Sequence, residues 1–245
     1  MSLPTHLVPD LDGVRIGDLV TVDGEEAHHA VAVRRLRVGE QVLLTDGVGH
    51  VVVAEITHTA KRTFDARALQ VRQDAAPLPA VTVVQALPKG DRGELAVEVL
   101  TEIGVGRIIP WAADRSVAVW RGERAEKSHA KWRSTAREAA KQARRSWHPV
   151  VDALATTTEV AAVIAEAPTA VVLHESGTAR LADVGLGHGP FVVVVGPEGG
   201  LTAGELETFA EAGAVTVRLG TEVLRTSTAG VAAVAALLSR TNRWA

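Results

Sequence analysis

Five apolar runs, interleaved with stretches of helical periodicity, constrain this chain more than any other feature. Val81-Thr82-Val83-Val84-Gln85-Ala86-Leu87, Arg107-Ile108-Ile109-Pro110-Trp111, Ala170-Val171-Val172-Leu173, Phe191-Val192-Val193-Val194-Val195 and Ala214-Val215-Thr216-Val217-Arg218 read as strands. Their continuous β-branched character suits strands buried on both faces. Helical patterns fall between them at 91–103, 123–145, 157–166 and 203–212, and a last one at 229–240 closes the chain. Such alternation predicts an α/β domain whose mostly parallel sheet is covered by helices on both sides.

The first third reads differently. Val20-Thr21-Val22, Gln41-Val42-Leu43-Leu44-Thr45 and His50-Val51-Val52-Val53-Ala54-Glu55-Ile56 are short strands, with Asp46-Gly47 as a hairpin turn between the last two. One short helix fits 25–33, ahead of the basic cluster Arg34-Arg35-Leu36-Arg37. Strands at this spacing predict a small barrel or sandwich. Gln73-Asp74-Ala75-Ala76-Pro77-Leu78-Pro79 reads as a linker, since its prolines stop either regular element. The expected organisation is a β-barrel domain over 1–73 and an α/β domain over 74–245, with no internal repeat.

Composition narrows the function. The absence of cysteine excludes disulfides, thiolate metal sites and cysteine nucleophiles. The nine histidines are scattered, and His28 and His29, being adjacent, would point to opposite faces of a strand, so no metal is expected. No apolar run reaches the roughly 20 residues of a membrane span. The stretch from Met1 to Asp10 lacks the basic and apolar regions of an export signal, which predicts a soluble, cytoplasmic protein.

The overall charge of −3 hides an uneven distribution. Residues 121–145 carry nine basic and three acidic side chains inside an otherwise acidic chain. Arg133, Arg137, Lys141 and Arg144 recur at helical spacing as one stripe, beside an apolar face of Trp132, Ala136, Ala139 and Ala143. Three acids cannot neutralise nine bases locally, so the stripe reads as a nucleic-acid-backbone contact rather than an ordinary solvated helix face. Arg34, Arg35, Arg37, Lys89, Arg92 and Arg115 are further candidates for RNA binding.

Ligands in open α/β sheets bind beyond the carboxyl ends of strands, and three loops here follow such ends. They are Leu173-His174-Glu175-Ser176-Gly177, Gly196-Pro197-Glu198-Gly199-Gly200-Leu201-Thr202, and Leu219-Gly220-Thr221-Glu222-Val223-Leu224-Arg225-Thr226-Ser227-Thr228-Ala229. In the second, Thr202 and Glu205 make a capping box that fixes where the next helix begins. Gly196, Gly199 and Gly200 then form a bend without side chains, suited either to close backbone approach by a ligand or to a tight turn alone. Neither a Walker A loop nor a G-x-G-x-x-G fingerprint is present, which argues against a phosphate cradle.

Gly196-Pro197-Glu198-Gly199-Gly200 followed by Leu224-Arg225-Thr226-x-Thr228-Ala229 resembles the SPOUT class of S-adenosylmethionine-dependent RNA methyltransferases. More narrowly, the chain resembles the ribosomal RNA small subunit methyltransferase E family. Lys89-Gly90-Asp91-Arg92, Thr101-Glu102-Ile103-Gly104-Val105, Pro110 and Asp114-Arg115-Ser116 agree with that family in order. So do His28-His29, Val33-Arg34-Arg35-Leu36 and Val38-Gly39-Glu40 nearer the start. The resemblance implies a PUA-like β-barrel followed by a trefoil-knot α/β domain, acting as a homodimer. The implied activity is methylation of N3 of a uridine in 16S ribosomal RNA of the small subunit, in a particle or as free RNA. The implied cofactor is S-adenosyl-L-methionine, held by Leu173, His174, Glu175, Gly196, Pro197, Gly199, Gly200, Leu219, Gly220, Val223, Leu224, Thr226, Ser227, Thr228 and Ala229.

Methyl transfer to a uracil nitrogen requires loss of the N3 proton and stabilisation of negative charge on O2 and O4. Arg225 and Glu198 are the ionisable residues within the two motifs. Arg225 serves either to stabilise the uracilate or to clamp a phosphate or carboxylate. Glu198 serves to accept a proton, to orient a loop, or only to bond backbone N–H groups. Many family members carry Glu where this chain has Ser227, a residue that can cap the final helix. A non-catalytic RNA-binding or ribosome-assembly factor on the same fold is the alternative reading.

Overall fold

The five side chains of Phe191–Val195 are all buried, and Val81–Ala86 is nearly as enclosed, so both runs must lie inside a sheet with two covered faces. A computed structural model describes residues 3–187 and 189–244 of the chain. Met1, Ser2, His188 and Ala245 lie outside it, the first two within the stretch read above for an export signal. The described chain forms two units, one of residues up to Ala76 together with Lys141–His148, the other of Pro77–Ala140 and the residues from Pro149 onward.

In the first unit, β1 (Thr5–Leu7) and β2 (Leu19–Asp23) precede α1 (Gly24–His28), which runs on into a π-helical turn over His29–Val33. Then come β3 (Gln41–Thr45), β4 (His50–Ala60) and β5 (Thr63–Gln73). The expected helix is therefore α in its first half and π in its second, and His28 and His29 lie on it rather than on a strand. Sheet order is β1-β3-β4-β5-β2, with β1 parallel to β3 and the other pairs antiparallel. It curls as a half-barrel around Phe64, Leu44, Ile56 and Leu11.

Strand β5, absent from the strands read above, alternates Phe64, Ala66 and Ala68 inward with Asp65 and Arg67 outward. The β3–β4 hairpin turns over four residues rather than two, because Asp46 Oδ1 accepts from the amides of both Val48 and His50. The segment after Lys141 belongs to this unit through Trp147, whose indole donates to the Asp74 carbonyl at 2.9 Å.

The second unit holds β6 (Val81–Ala86), α2 (Arg92–Glu102), β7 (Arg107–Trp111), α3 (Gly122–Gln142) as far as Ala140, β8 (Val150–Val151), α4 (Thr157–Ala165) and β9 (Thr169–Leu173). It continues with β10 (Ala179–Arg180), β11 (Phe191–Val195), α5 (Ala203–Glu211), β12 (Val215–Arg218) and α6 (Thr226–Leu238). Seven strands pair in the order β10-β12-β9-β11-β6-β7-β8, every neighbouring pair parallel. One face packs on α2 and α6 through Leu100, Val234 and Leu237, and the other on α4 and α5 through Ile164 and Phe209.

Two helices differ in their ends from the sequence reading. Helix α3 stops at Gln142, so Arg144 lies in a left-handed turn beyond it, and Ala143 is exposed while Ala140 takes its place in the core. Helix α6 begins at Thr226, with Arg225 at its N-cap position. Ser227 is thus in the first turn and buried, and it does not cap the helix.

Candidate functional site

Because β12, β9 and β11 are adjacent and parallel, the three loops beyond their carboxyl ends open on one side of the sheet. Together they enclose a cavity of about 700 Å³. Thirteen of the fifteen residues expected to hold a cofactor line it: Leu173, His174, Glu175, Gly196, Pro197, Gly199, Gly200, Leu219, Gly220, Val223, Leu224, Thr226 and Ala229. Ser227 and Thr228 do not. Ser227 is turned into the protein, and the Thr228 hydroxyl donates to the carbonyl of Arg225.

The glycine loop is held from both sides. Thr202 and Glu205 form the capping box read from sequence, and the buried Glu205 also accepts from the Asp114 amide at 2.8 Å. Arg115 reaches over the loop and donates to the carbonyls of Gly199 and Leu201 at 3.3 and 3.5 Å. Gly199 leaves no room for anything larger, since a Cβ there would lie 2.9 Å from Arg115 Cβ. The first loop is equally tight at Gly177, where a Cβ would meet the backbone of Val217 at 2.6 Å.

The third loop is different in kind. From Gly220 to Leu224 no backbone group hydrogen-bonds to another described residue, and Val223 is 79% exposed. Its amides and carbonyls therefore remain available to a ligand. Each loop contributes what a small polar-and-apolar molecule needs: open backbone atoms, and close approach where side chains are excluded.

Glu198 and Arg225 both border the cavity. Glu198 Oε1 accepts from the Lys89 amide at 3.2 Å and from Arg92 Nη1 at 3.3 Å, so its carboxylate ties the glycine loop to the entry of α2. The Arg225 side chain is exposed on the cavity rim and is engaged by no hydrogen bond or ion pair to a described residue. Arg218 and Glu222 also line the space, and sequence reasoning passed over them because neither stands out from its motif. It passed over Gln85 too, a buried polar residue that donates to Thr226 from within an apolar strand run.

The basic candidates fall into exposed and engaged groups. Arg34, Arg35 and Arg37 follow the π turn and are exposed, with Arg35 in the left-handed region at φ 57° and Leu36 buried as the anchor between them. Lys89, Arg133 and Arg137 are exposed, Arg137 beside Glu138 at 3.5 Å. Arg92 and Arg115 are engaged at the cavity as described. Lys141 leaves the stripe: its side chain is 10% exposed and its Nζ lies 3.0 Å from Glu26. Lys131 likewise meets Glu94 at 2.9 Å. Acids distant in sequence thus neutralise part of a charge that the local count left unopposed.

Within the first unit, Glu26 is held between Lys141 and the buried His6, whose Nδ1 is 3.0 Å away. Burial by itself raises the carboxyl's pKa, but the bonds from His6 and Lys141 outweigh it and bring the value down to about 2.

Known proteins are similar to this chain in sequence and fold. Residues 75–238 match the RNA methyltransferase domain family, and residues 22–69 match the RNA methyltransferase PUA domain. The ribosomal RNA small subunit methyltransferase E of Mycobacterium bovis is 44% identical over 234 residues, covering 93% of this chain and 89% of its own. The protein of the same name from Bacillus subtilis is 30% identical over 231 residues, covering 90% of each. A crystal structure of the Neisseria gonorrhoeae ribosomal RNA small subunit methyltransferase E, bound to S-adenosyl methionine, superposes with a TM-score of 0.88 at 29% identity over 98% of both chains. By its domain matches and its identity to these relatives over most of its length, the chain with this half-barrel and parallel sheet belongs to the ribosomal RNA small subunit methyltransferase E family.

Proposed function

We propose that this chain transfers a methyl group from S-adenosyl-L-methionine to N3 of a uridine in 16S ribosomal RNA of the small subunit. The observation that carries the reading is the convergence of three loops beyond neighbouring strand ends, with the backbone groups of Gly220–Leu224 unbonded to any described residue. Such a lining suits the cofactor, which is a flat base, a ribose and an amino-acid tail rather than a phosphate chain. When bound, S-adenosyl-L-methionine supplies a methyl group on a sulfonium, a good leaving group for in-line displacement.

The residues of the chain supply the rest. Arg225, on the exposed cavity rim, stabilises the negative charge that gathers on O2 and O4 as the uracil N3 proton passes to solvent water. Glu198 is already engaged by the Lys89 amide and Arg92, which supports a loop-orienting role over proton acceptance. Holding base and cofactor in line contributes through proximity, an effect worth about 7–11 kcal/mol in well-oriented systems.

Arg34, Arg35, Arg37, Lys89, Arg133 and Arg137 bind the RNA backbone, and Arg144 adds a charge beyond α3. The α/β domain is threaded as a trefoil knot, consistent with β12 lying between β10 and β9 while α6 packs back on α2, β6 and β11. The chain works in the cytoplasm as a homodimer, to which the exposed Val117, Val119, Val223 and Leu224 contribute apolar surface.

Calorimetric titration with S-adenosyl-L-methionine, followed by methyl transfer to small-subunit particles and to naked 16S RNA, tests the reading. Binding near one per chain and 3-methyluridine in the RNA are expected. Absence of cofactor binding would overturn it.

A further inference from the structure

Gln85 is the next-to-last residue of an apolar strand and is fully buried, yet the roles assigned so far make no use of it. Its Nε2 donates to Thr226 Oγ1 at 3.0 Å and to the Ala86 carbonyl at 3.2 Å. Thr226 Oγ1 donates in turn to the Gly196 carbonyl at 2.7 Å. The direction of this chain is forced. A carbonyl oxygen only accepts, so the single hydroxyl proton of Thr226 is committed to Gly196, and whatever faces the hydroxyl from Gln85 must be a donor.

The side-chain amide is thereby fixed, and Gln85 Oε1 is left buried with no hydrogen-bond partner among the described residues. A buried acceptor without a partner is unfavourable, and methionine would fill a similar volume without that defect. Stability therefore does not account for a glutamine here. The benefit lies at the other end of the amide, which joins strand β6, the glycine loop and the start of α6 at one hydroxyl.

We propose that Gln85 is a positioning residue for the cofactor cavity. Through Thr226 it sets the separation of the second and third loops. It also fixes the backbone from which Arg225 projects, because Arg225 directly precedes Thr226 and its carbonyl caps the amides of Thr228 and Ala229. The inference rests on the S-adenosyl-L-methionine reading of this cavity.

The test compares the full chain with Gln85→Met, Thr226→Val and the double variant. Cofactor affinity is measured by calorimetry, unfolding temperature without ligand, and kcat and KM for RNA methylation. Both single variants are expected to bind S-adenosyl-L-methionine at least fivefold more weakly. Gln85→Met should unfold at or above the wild-type temperature, and the double variant should bind no worse than the weaker single one. Loss in kcat should exceed any rise in KM for RNA. A change below fivefold in Gln85→Met overturns the proposal, as does a loss that simply follows a lowered unfolding temperature in both single variants. Failure of the wild-type chain to bind S-adenosyl-L-methionine is a separate result: it overturns the cofactor reading and takes this inference with it.

Discussion

Arg115 and Gly199 stand 84 residues apart in the chain, yet the guanidinium of the first donates to the carbonyl of the second at 3.3 Å. The same contact leaves no space for a side chain at position 199, where Arg115 Cβ and its carbonyl oxygen would lie 2.9 and 3.0 Å from a new Cβ. Gly199→Ala must push the loop away from Arg115 at a cost of about 1–3 kcal/mol. Cofactor affinity should fall with it. Gly204→Ala is the control, since among the described residues nothing beyond its own helix backbone and chain neighbours lies within 4 Å of its would-be Cβ. In the first turn of α5 that change should be neutral or stabilising by up to about 1 kcal/mol. Denaturant unfolding and cofactor titration of both variants check the contrast.

Arg225→Ala should lower methyl transfer by about 100- to 1000-fold, the usual effect of removing one donor to a developing oxyanion. RNA affinity should change only a few fold, because the proposed role is exercised on the reacting base. Single-turnover rates at saturating RNA make the comparison. Undiminished turnover would remove Arg225 from the chemistry.

Glu198→Gln separates the two roles open to that residue. An amide oxygen still accepts from the Lys89 amide and Arg92, so an orienting role predicts a loss of less than about tenfold. A proton acceptor would lose roughly 100-fold or more. The rate measured across pH 6–9 decides between them.

Glu26 links acid stability to a specific network. Its carboxyl sits at about 2, below an ordinary 4.5. A lowered carboxyl stabilises the folded state above its unfolded value, and that contribution is lost as pH falls from about 4.5 through about 2. The shift corresponds to roughly 3 kcal/mol at neutral pH. Glu26→Gln should therefore unfold more easily at pH 7, by about 2–3 kcal/mol, with the deficit shrinking as the pH approaches 3. Urea titrations of both proteins at a series of pH values give the two curves.

RNA binding should weaken steeply with salt, and the slope should register each phosphate contact removed. Replacing Arg34, Arg35 and Arg37 together with alanine should reduce the log–log salt slope by about 2–3 and lower affinity on any RNA sequence. Lys141→Ala should leave that slope unchanged, because Lys141 is turned toward Glu26. Its effect should appear in stability instead. An unchanged slope in the triple variant would assign those arginines to another use.

Much of the fold could be read from the order of residues, because local patterning is a local property. The uninterrupted valines of Phe191–Val195 permit only a doubly covered strand, and Thr202 with Glu205 sets the start of α5 through bonds made within one turn. The glycine loop and the Arg225 motif were likewise visible as motifs. Strand β5 is weakly marked in the sequence because its inward residues are Phe64 and two alanines among charged neighbours.

What tertiary structure alone decided is adjacency. Along the chain β9 comes before both β11 and β12, but only sheet pairing places β9 between the other two and brings their loops to one cavity. The same holds for Glu26 beside Lys141, Glu198 beside Arg92, and Gln85 beside Thr226, all more than a hundred residues apart. Side-chain partners across such distances depend on how hydrophobic burial stacks the elements. That outcome belongs to the whole chain, and no local window contains it.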